Sequence, residues 1–377
     1  MAALEKKILK DSKRIVIKVG SALIRSDDKN LVNKIILNRI VKEIINLNEA
    51  GKEILLVSSG ALALGKKSLN FKKNNLKVPE KQAASSVGQV LLINAWKKAF
   101  LKYKKQCGQI LLTHLDAEIR SSAINARNTI ESLLKLNSIP IINENDSVAT
   151  QELRYGDNDQ LAARVAQITS SNLLIILSDV DGLYTSNPKK SSDALLIKYI
   201  KRITKSIEKQ AENTSSSIAV GGMKTKIKAA KIALAAGCNM IITRGNKLRP
   251  ISSIMHKANF SLFLTDTSPK TARKKWISSQ MKIKGNITID KGAEEALKNG
   301  ASLLPAGIIS VSGSFYKGDI INVLSKKKQI ICVGITAYPA KDAKIIAGAK
   351  SNEIENLLGY HSRDVIIHRD DMVLKTK

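Results

Sequence analysis

The sequence predicts an α/β protein with a mainly parallel central sheet, followed by a small C-terminal β-barrel. Three observations carry this expectation. Short β-branched runs alternate with amphipathic helical patterns up to about residue 265. Several of these runs end in small, acidic or amide residues, as strands do where they open into ligand-binding loops. Beyond Trp276 the pattern changes to short alternating strands with turn glycines about every eight to twelve residues. The expected boundaries are an α/β domain over residues 1–268, a polar and basic linker over 269–276, and a β-rich domain over 277–377.

Residues Met1 to Lys13 are basic and helix-prone but lack an apolar signal core, and read as a leader into the first strand. The run Arg14–Val19 is a buried strand closing in Gly20-Ser21. Lys18 sits inside it, where an unpaired lysine is uncommon, beside a turn able to admit a phosphate. Leu31, Ile35, Ile36, Ile40, Ile44 and Leu47 repeat at helical spacing, and Gly51 supplies the stop. Glu53–Val57 is the next strand. It opens into Ser58-Ser59-Gly60-Ala61, a loop small enough for backbone amides to approach a ligand. Strand, helix, strand and loop make one βαβ unit.

Residues 66–81 read as lysine-rich and irregular, 82–105 as a helix with small residues near its start, 109–113 as a strand and 119–137 as an amphipathic helix. Ile139–Ile142 is a strand that runs into Asn143-Glu144-Asn145-Asp146. A second polar knot, Gly156-Asp157-Asn158-Asp159, precedes a helix starting near Gln160. Amides and carboxylates packed this densely at a strand's end are costly to place near a core unless they have partners. Asn172–Leu177 is the most apolar strand and ends in Ser178-Asp179. Residues 188–217 are polar. Gly221-Gly222-Met223-Lys224-Thr225-Lys226 opens an alanine-rich helix whose free amides and lysines suit phosphate binding; the spacing is not that of a Walker A loop. Met240–Thr243 and Phe260–Thr265 are the last strands before the change of pattern. In the final region, strands are expected over 285–290, 307–312, 318–323 and 330–337, with helices over 292–299 and 351–358.

The composition is that of an ordinary soluble protein: 44% hydrophobic and 25% charged, with only 4% aromatic residues. No apolar run approaches the roughly 18–20 residues needed to span a bilayer. Cys107, Cys238 and Cys332 are isolated and odd in number, which suggests buried thiols in a reducing, cytoplasmic setting and no disulfide frame. The four histidines show no metal-ligand spacing. The net charge of +30 invites a nucleic-acid role. Residues 270–377, however, hold 19 basic and 10 acidic residues against 43 and 22 elsewhere, the same density of excess charge. A uniform lysine excess reads as background composition more than as a binding stripe, while still favouring anions in general.

On a parallel sheet the loops at Lys18-Gly20-Ser21, Ser58-Ser59-Gly60, Asn143 to Asp159 and Ser178-Asp179 share one edge. Lysines, glycines and carboxylates with no histidine among them point to phosphoryl transfer, where the protein mostly positions reactants and neutralises charge. A carboxylate acceptor needs no general base, because at a pKa near 4.3 it is already ionised.

The segments Ile17–Ser21, Val57–Ala61, Asn143–Asp146, Gly156–Asp159 and Gly221–Lys226 resemble the glutamate 5-kinase branch of the amino acid kinase family, a three-layer sandwich fold. The C-terminal region, with Trp276, Lys317-Gly318-Asp319 and Val365–Met372, is similar to the PUA domain carried by many bacterial members. The resemblance implies a catalytic set of Lys18, Lys226 and Asp159, with the carboxylate organising the two lysines. It implies glutamate contacts from Ser59, Asp146 and Asn158. It implies nucleotide contacts from Lys18, Ser178, Asp179, Gly221, Gly222, Met223, Lys224, Thr225 and Lys226. ATP and Mg²⁺ are the implied cofactors, and no protein metal ligand is implied. Further implications are the first step of proline synthesis, proline as a feedback inhibitor, a homo-oligomer, hand-off of product to a glutamyl phosphate reductase, and RNA as a ligand of the PUA-like domain. Val220 stands where the family often has a threonine, so a nucleotide contact through that hydroxyl cannot form here. Two alternatives stand beside this reading: a relative acting on another small acid such as aspartate or acetylglutamate, and an RNA-binding protein with a degenerate kinase domain.

Overall fold

The computed structural model describes residues 4–26, 32–72, 75–148, 158–188, 191–213, 222–256, 258–278, 283–360 and 363–375. The chain divides into two compact units. The first comprises residues 1–118 and 125–269, the second 119–124 and 270–377.

The first unit begins with helix α1 (Leu4–Asp11), strand β1 (Arg14–Val19), α2 (Ser21–Ile24) and α3 (Lys34–Glu49). Next come β2 (Glu53–Ser58), α4 (Ala61–Ser68), α5 (Val78–Leu101) and β3 (Cys107–Leu112). Then follow α6 (His114–Glu118), α7 (Arg120–Lys135), β4 (Ile139–Glu144), α8 (Asn158–Ile168) and β5 (Leu173–Ser178). The last elements are β6 (Tyr199–Ile200), α9 (Lys205–Asn213), α10 (Met223–Ala235), β7 (Asn239–Arg244) and β8 (Phe260–Phe263). The eight strands form one sheet in the order β3-β4-β2-β1-β5-β7-β8-β6. β3, β4, β2, β1, β5 and β7 are mutually parallel, whereas β8 is antiparallel to β7.

The two-residue period of a strand sorts the core into two layers. Ile15, Ile17 and Val19 of β1 join Ile54 and Leu56 of β2 under α3 and α5. Val16 faces the other way, with Leu55, Val57, Leu174 and Ile176, under α8 and α10. Strands covered on both faces read as continuous apolar runs, which is why β1, β2, β4 and β5 stand out in the sequence. Lys18 shares parity with Val16 and so lies on the α8 and α10 side of the sheet.

Helices α4 and α5 cross at glycine. A Cβ on Gly88 would lie 1.8 Å from the Ala61 carbonyl oxygen, and one on Gly65 would lie 1.7 Å from that of Ala84. Both atoms belong to backbone, so neither can move aside cheaply. This contact fixes α4 immediately after the Ser58-Ser59-Gly60 loop, where Gly60 adopts φ +119°.

The second unit holds α11 (Pro269–Ser278), β9 (Gly285–Ile289), α12 (Lys291–Lys298), β10 (Ile308–Gly313), β11 (Ile320–Leu324) and β12 (Ile330–Ile335). It ends with α13 (Ala340–Ile345), α14 (Ile354–Leu358) and β13 (Met372–Leu374). Its sheet runs β10-β9-β11-β12-β13 around a core including Ile287, Val323, Tyr338 and Ile367. The segment expected as a polar linker, 269–276, is helical in α11, and β13 adds a fifth strand that periodicity does not reveal in three residues. The expected irregular stretch 66–81 contains the end of α4 and the start of α5, and the polar stretch 188–217 contains β6 and α9.

Candidate active site

Strands β4, β2, β1 and β5 are neighbours and parallel, so the loops after Glu144, Ser58, Val19 and Ser178 open on one edge. Backbone bonds tie them together. Ser59 N donates to Val19 O at 3.1 Å, Gly20 N to Leu177 O at 3.1 Å, and Gly245 N to Ser178 O at 2.8 Å.

The centre of this edge is Asp159, in the first turn of α8 and fully buried. Its carboxylate lies 2.6 Å from Lys18 Nζ on β1 and 3.1 Å from Lys226 Nζ on α10. Both lysine side chains are about as buried, at 5% and 6% exposure. Three elements far apart in sequence therefore bring two lysines and one carboxylate into one buried cluster. A helix's first turn favours the carboxylate through the positive end of its dipole. Burying ions is costly unless they are matched, and here one carboxylate holds both ammonium groups.

Asn158 lies beside Asp159. Its Nδ2 donates to Ser58 O at 3.2 Å and to Asn143 Oδ1 at 2.6 Å, while Asn143 Nδ2 donates to Gln89 Oε1 at 2.7 Å. The Ser58 hydroxyl is committed: it accepts from Trp96 Nε1 at 2.8 Å and donates to Ser59 O at 3.2 Å. The Ser59 hydroxyl is half-buried at the loop and has no hydrogen-bond partner among the described residues. Asp146 is half-buried in the turn after β4, and Glu144 is buried at the end of that strand.

Toward β5 and β7, Ser178 is buried and its Oγ donates to Asp179 Oδ1 at 3.0 Å; Asp179 itself is exposed. Gly222 caps α10 in extended conformation, and Thr225 Oγ1 donates back to its carbonyl at 2.8 Å. Met223 packs into the core, and Lys224 is exposed on the side opposite Lys226, as a two-residue step on a helix requires. Gly156, Asp157, Val220 and Gly221 lie outside the described residues. Among the described residues no group of three or more His, Cys, Asp or Glu could hold a metal ion.

Two sets of residues here carry no sequence signal. Gln89 arrives from the middle of α5. Asp181 binds Arg244 at 3.0 Å and Lys247 at 3.3 Å, across the ends of β5 and β7. Burial, and then the Asp181 carboxylate, holds the nearby Tyr184 hydroxyl above its ordinary pKa, with Arg244 opposing.

Comparison with known proteins adds to this geometry. Residues 13–244 match the amino acid kinase family and residues 285–358 match the PUA domain. A glutamate 5-kinase of Agrobacterium fabrum is 48% identical, with 99% of this chain and 95% of that protein covered. Glutamate 5-kinases of Allorhizobium ampelinum and Paramagnetospirillum magneticum are 49% and 45% identical, covering 96% and 97% of this chain and 92% and 98% of their own lengths.

Proposed function

The chain belongs to the amino acid kinase family, and from that membership we propose that it transfers the γ-phosphoryl group of ATP to the side-chain carboxylate of L-glutamate, giving L-glutamyl 5-phosphate and ADP. The observation that carries this reading is the buried Lys18–Asp159–Lys226 cluster at the edge where four βα loops meet.

A carboxylate oxygen of glutamate attacks the γ phosphorus, a new O–P bond forms, and the bond to the β–γ bridging oxygen breaks. The acceptor is already ionised, so no proton has to leave it, and the lack of a histidine in the cluster costs nothing. Charge spreads over the phosphoryl oxygens in the transition state. Lys18 and Lys226 are placed to meet it, and Asp159 holds both in position so that little reorganisation accompanies the reaction. Ser59, Asp146 and Asn158 hold the amino acid, and Gly221, Gly222 and the start of α10 meet the phosphates of the nucleotide, with Ser178 and Asp179 beside it. Mg²⁺ fits such a site as an ion carried mainly by the phosphates, since magnesium needs few protein ligands; when bound, it adds neutralisation of phosphoryl charge.

Proline shares the α-carboxylate and amine of glutamate and acts as a competitive ligand of the same pocket, placing the reaction at the entry to proline synthesis. The intact cluster and full-length similarity favour a working kinase over a degenerate one. Residues 277–377 form an accessory domain. The test is ADP release measured with ATP, Mg²⁺ and glutamate, aspartate or N-acetylglutamate in turn. Glutamate should be preferred by at least about tenfold in kcat/KM, roughly the value of one well-used substrate contact. Faster turnover of another acid, or none with any, contradicts the reading.

A further inference from the structure

We propose that Gln89 on α5 is a specificity-determining positioning residue: acting through Asn143, it closes the amide chain whose direction the Ser58 carbonyl sets, and so helps hold Asn158 with its acceptor toward the substrate. This rests on the glutamate reading and deepens it.

The chain of amides has one direction because one end is backbone. The Ser58 carbonyl can only accept, so the atom of Asn158 that meets it at 3.2 Å must be Nδ2. The second Nδ2 hydrogen then goes to Asn143 at 2.6 Å, which must present Oδ1. That leaves Asn143 Nδ2 as the atom facing Gln89, which must present Oε1 at 2.7 Å. Reversing any single amide would set oxygen against oxygen or NH₂ against NH₂. Asn143 and Asn158 are both buried and Gln89 is half-buried, so a mismatch between the two asparagines has little access to water.

The remaining hydrogen-bonding atom of Asn158 is Oδ1, which has no partner among the described residues. An oxygen recognises an N–H group, so the site reads the ammonium of an amino acid. A carboxylate at that point would be repelled. Asn158 adjoins Asp159 in the same helical turn, so this acceptor sits next to the lysine cluster. Gln89 touches no reacting atom; it acts only by supplying the acceptor that ends the chain.

The test compares three variants for KM and kcat with glutamate and with glutarate, which lacks the amine. Gln89→Glu keeps an acceptor and should hold the glutamate KM within about threefold. Gln89→Lys offers only donors and should raise that KM by about tenfold or more, the usual cost of stranding a buried polar group. Its kcat and ATP KM should change less than about threefold, and the preference for glutamate over glutarate should shrink. Adding Asn143→Asp to Gln89→Lys should recover the glutamate KM, because a carboxylate accepts from both neighbours. If Gln89→Lys fails to fold, Gln89→Met, which removes the acceptor, serves in its place. Equal KM values for the Glu and Lys variants, or no recovery in the double variant, overturn the proposal while leaving the glutamate reading intact. A wild-type protein without glutamate-dependent turnover overturns both.

Discussion

Replacing Asp159 by Asn tests the architecture of the site most sharply. Asn matches Asp in size, so packing is nearly unchanged, while the charge is lost and one of the two acceptor oxygens becomes an NH₂ donor facing an ammonium group. The wild-type carboxylate is fully buried and touches two ammonium groups at 2.6 and 3.1 Å that are themselves 5–6% exposed. At an effective dielectric near 20 each contact carries roughly 5–6 kcal/mol of attraction before the cost of desolvation. Breaking a buried pair by removing one partner costs about 3–5 kcal/mol once relaxation is included. For a domain of this size that corresponds to a drop in Tm of roughly 6–20 °C. The lysines would also lose their fixed positions, and turnover should fall by about 10²–10³-fold, as when a preorganised donor to a developing charge is lost. Thermal unfolding and steady-state ADP release measure the two effects separately. A Tm within about 2 °C of wild type together with turnover within about threefold would refute the placement of Asp159 between the lysines.

Lys226→Ala should lower kcat by about 10³-fold while leaving the glutamate KM nearly unchanged, since its charge is needed mainly in the transition state; a raised KM with normal kcat would assign it to substrate binding instead. Gly88→Ala gains about 1 kcal/mol of helix propensity, but a Cβ 1.8 Å from the Ala61 carbonyl must push α4 away. Net destabilisation of about 2 kcal/mol, the upper end of the overpacking cost less the propensity gain, is expected in urea unfolding, and a neutral result would contradict the close crossing. Burial pushes the Cys332 thiol up to about 12 and Cys238 higher still, and also raises the half-buried Cys107, with Lys97 opposing. A raised pKa leaves only about one part in 10⁴ of Cys332 as thiolate at pH 8, so a disulfide reagent should modify at most Cys107 in the native protein and all three thiols after unfolding. Three equally fast thiols in the native protein would contradict that burial.

Legibility in the sequence followed physical cause. β1, β2, β4 and β5 are covered on both faces and announce themselves as unbroken apolar runs. The start of α5 was hidden by the lysines around it, although Pro79 and Glu80 carried the signal: Glu80 Oε2 accepts from Lys77 N at 2.7 Å. α9 is polar nearly throughout and β13 is three residues long, too little for either period to register. In the site, Lys18 was conspicuous as a charge inside an apolar strand, and strand parity explains its meeting with α8 and α10. Lys224 and Lys226 look equivalent as letters, but helix geometry exposes one and buries the other. Gln89 lay beyond reach because a hydrogen bond between residues 54 positions apart leaves no local pattern. The same holds for Asp181 and Arg244, which pair across two strand ends.

The most direct test of the central claim is to run the reaction with ATP, Mg²⁺ and L-glutamate in hydroxylamine and identify the trapped product by mass spectrometry. Phosphoryl transfer to the side chain predicts γ-glutamyl hydroxamate in step with ADP. Hydroxamate at the α-carboxyl, or ADP released without any hydroxamate, would contradict it.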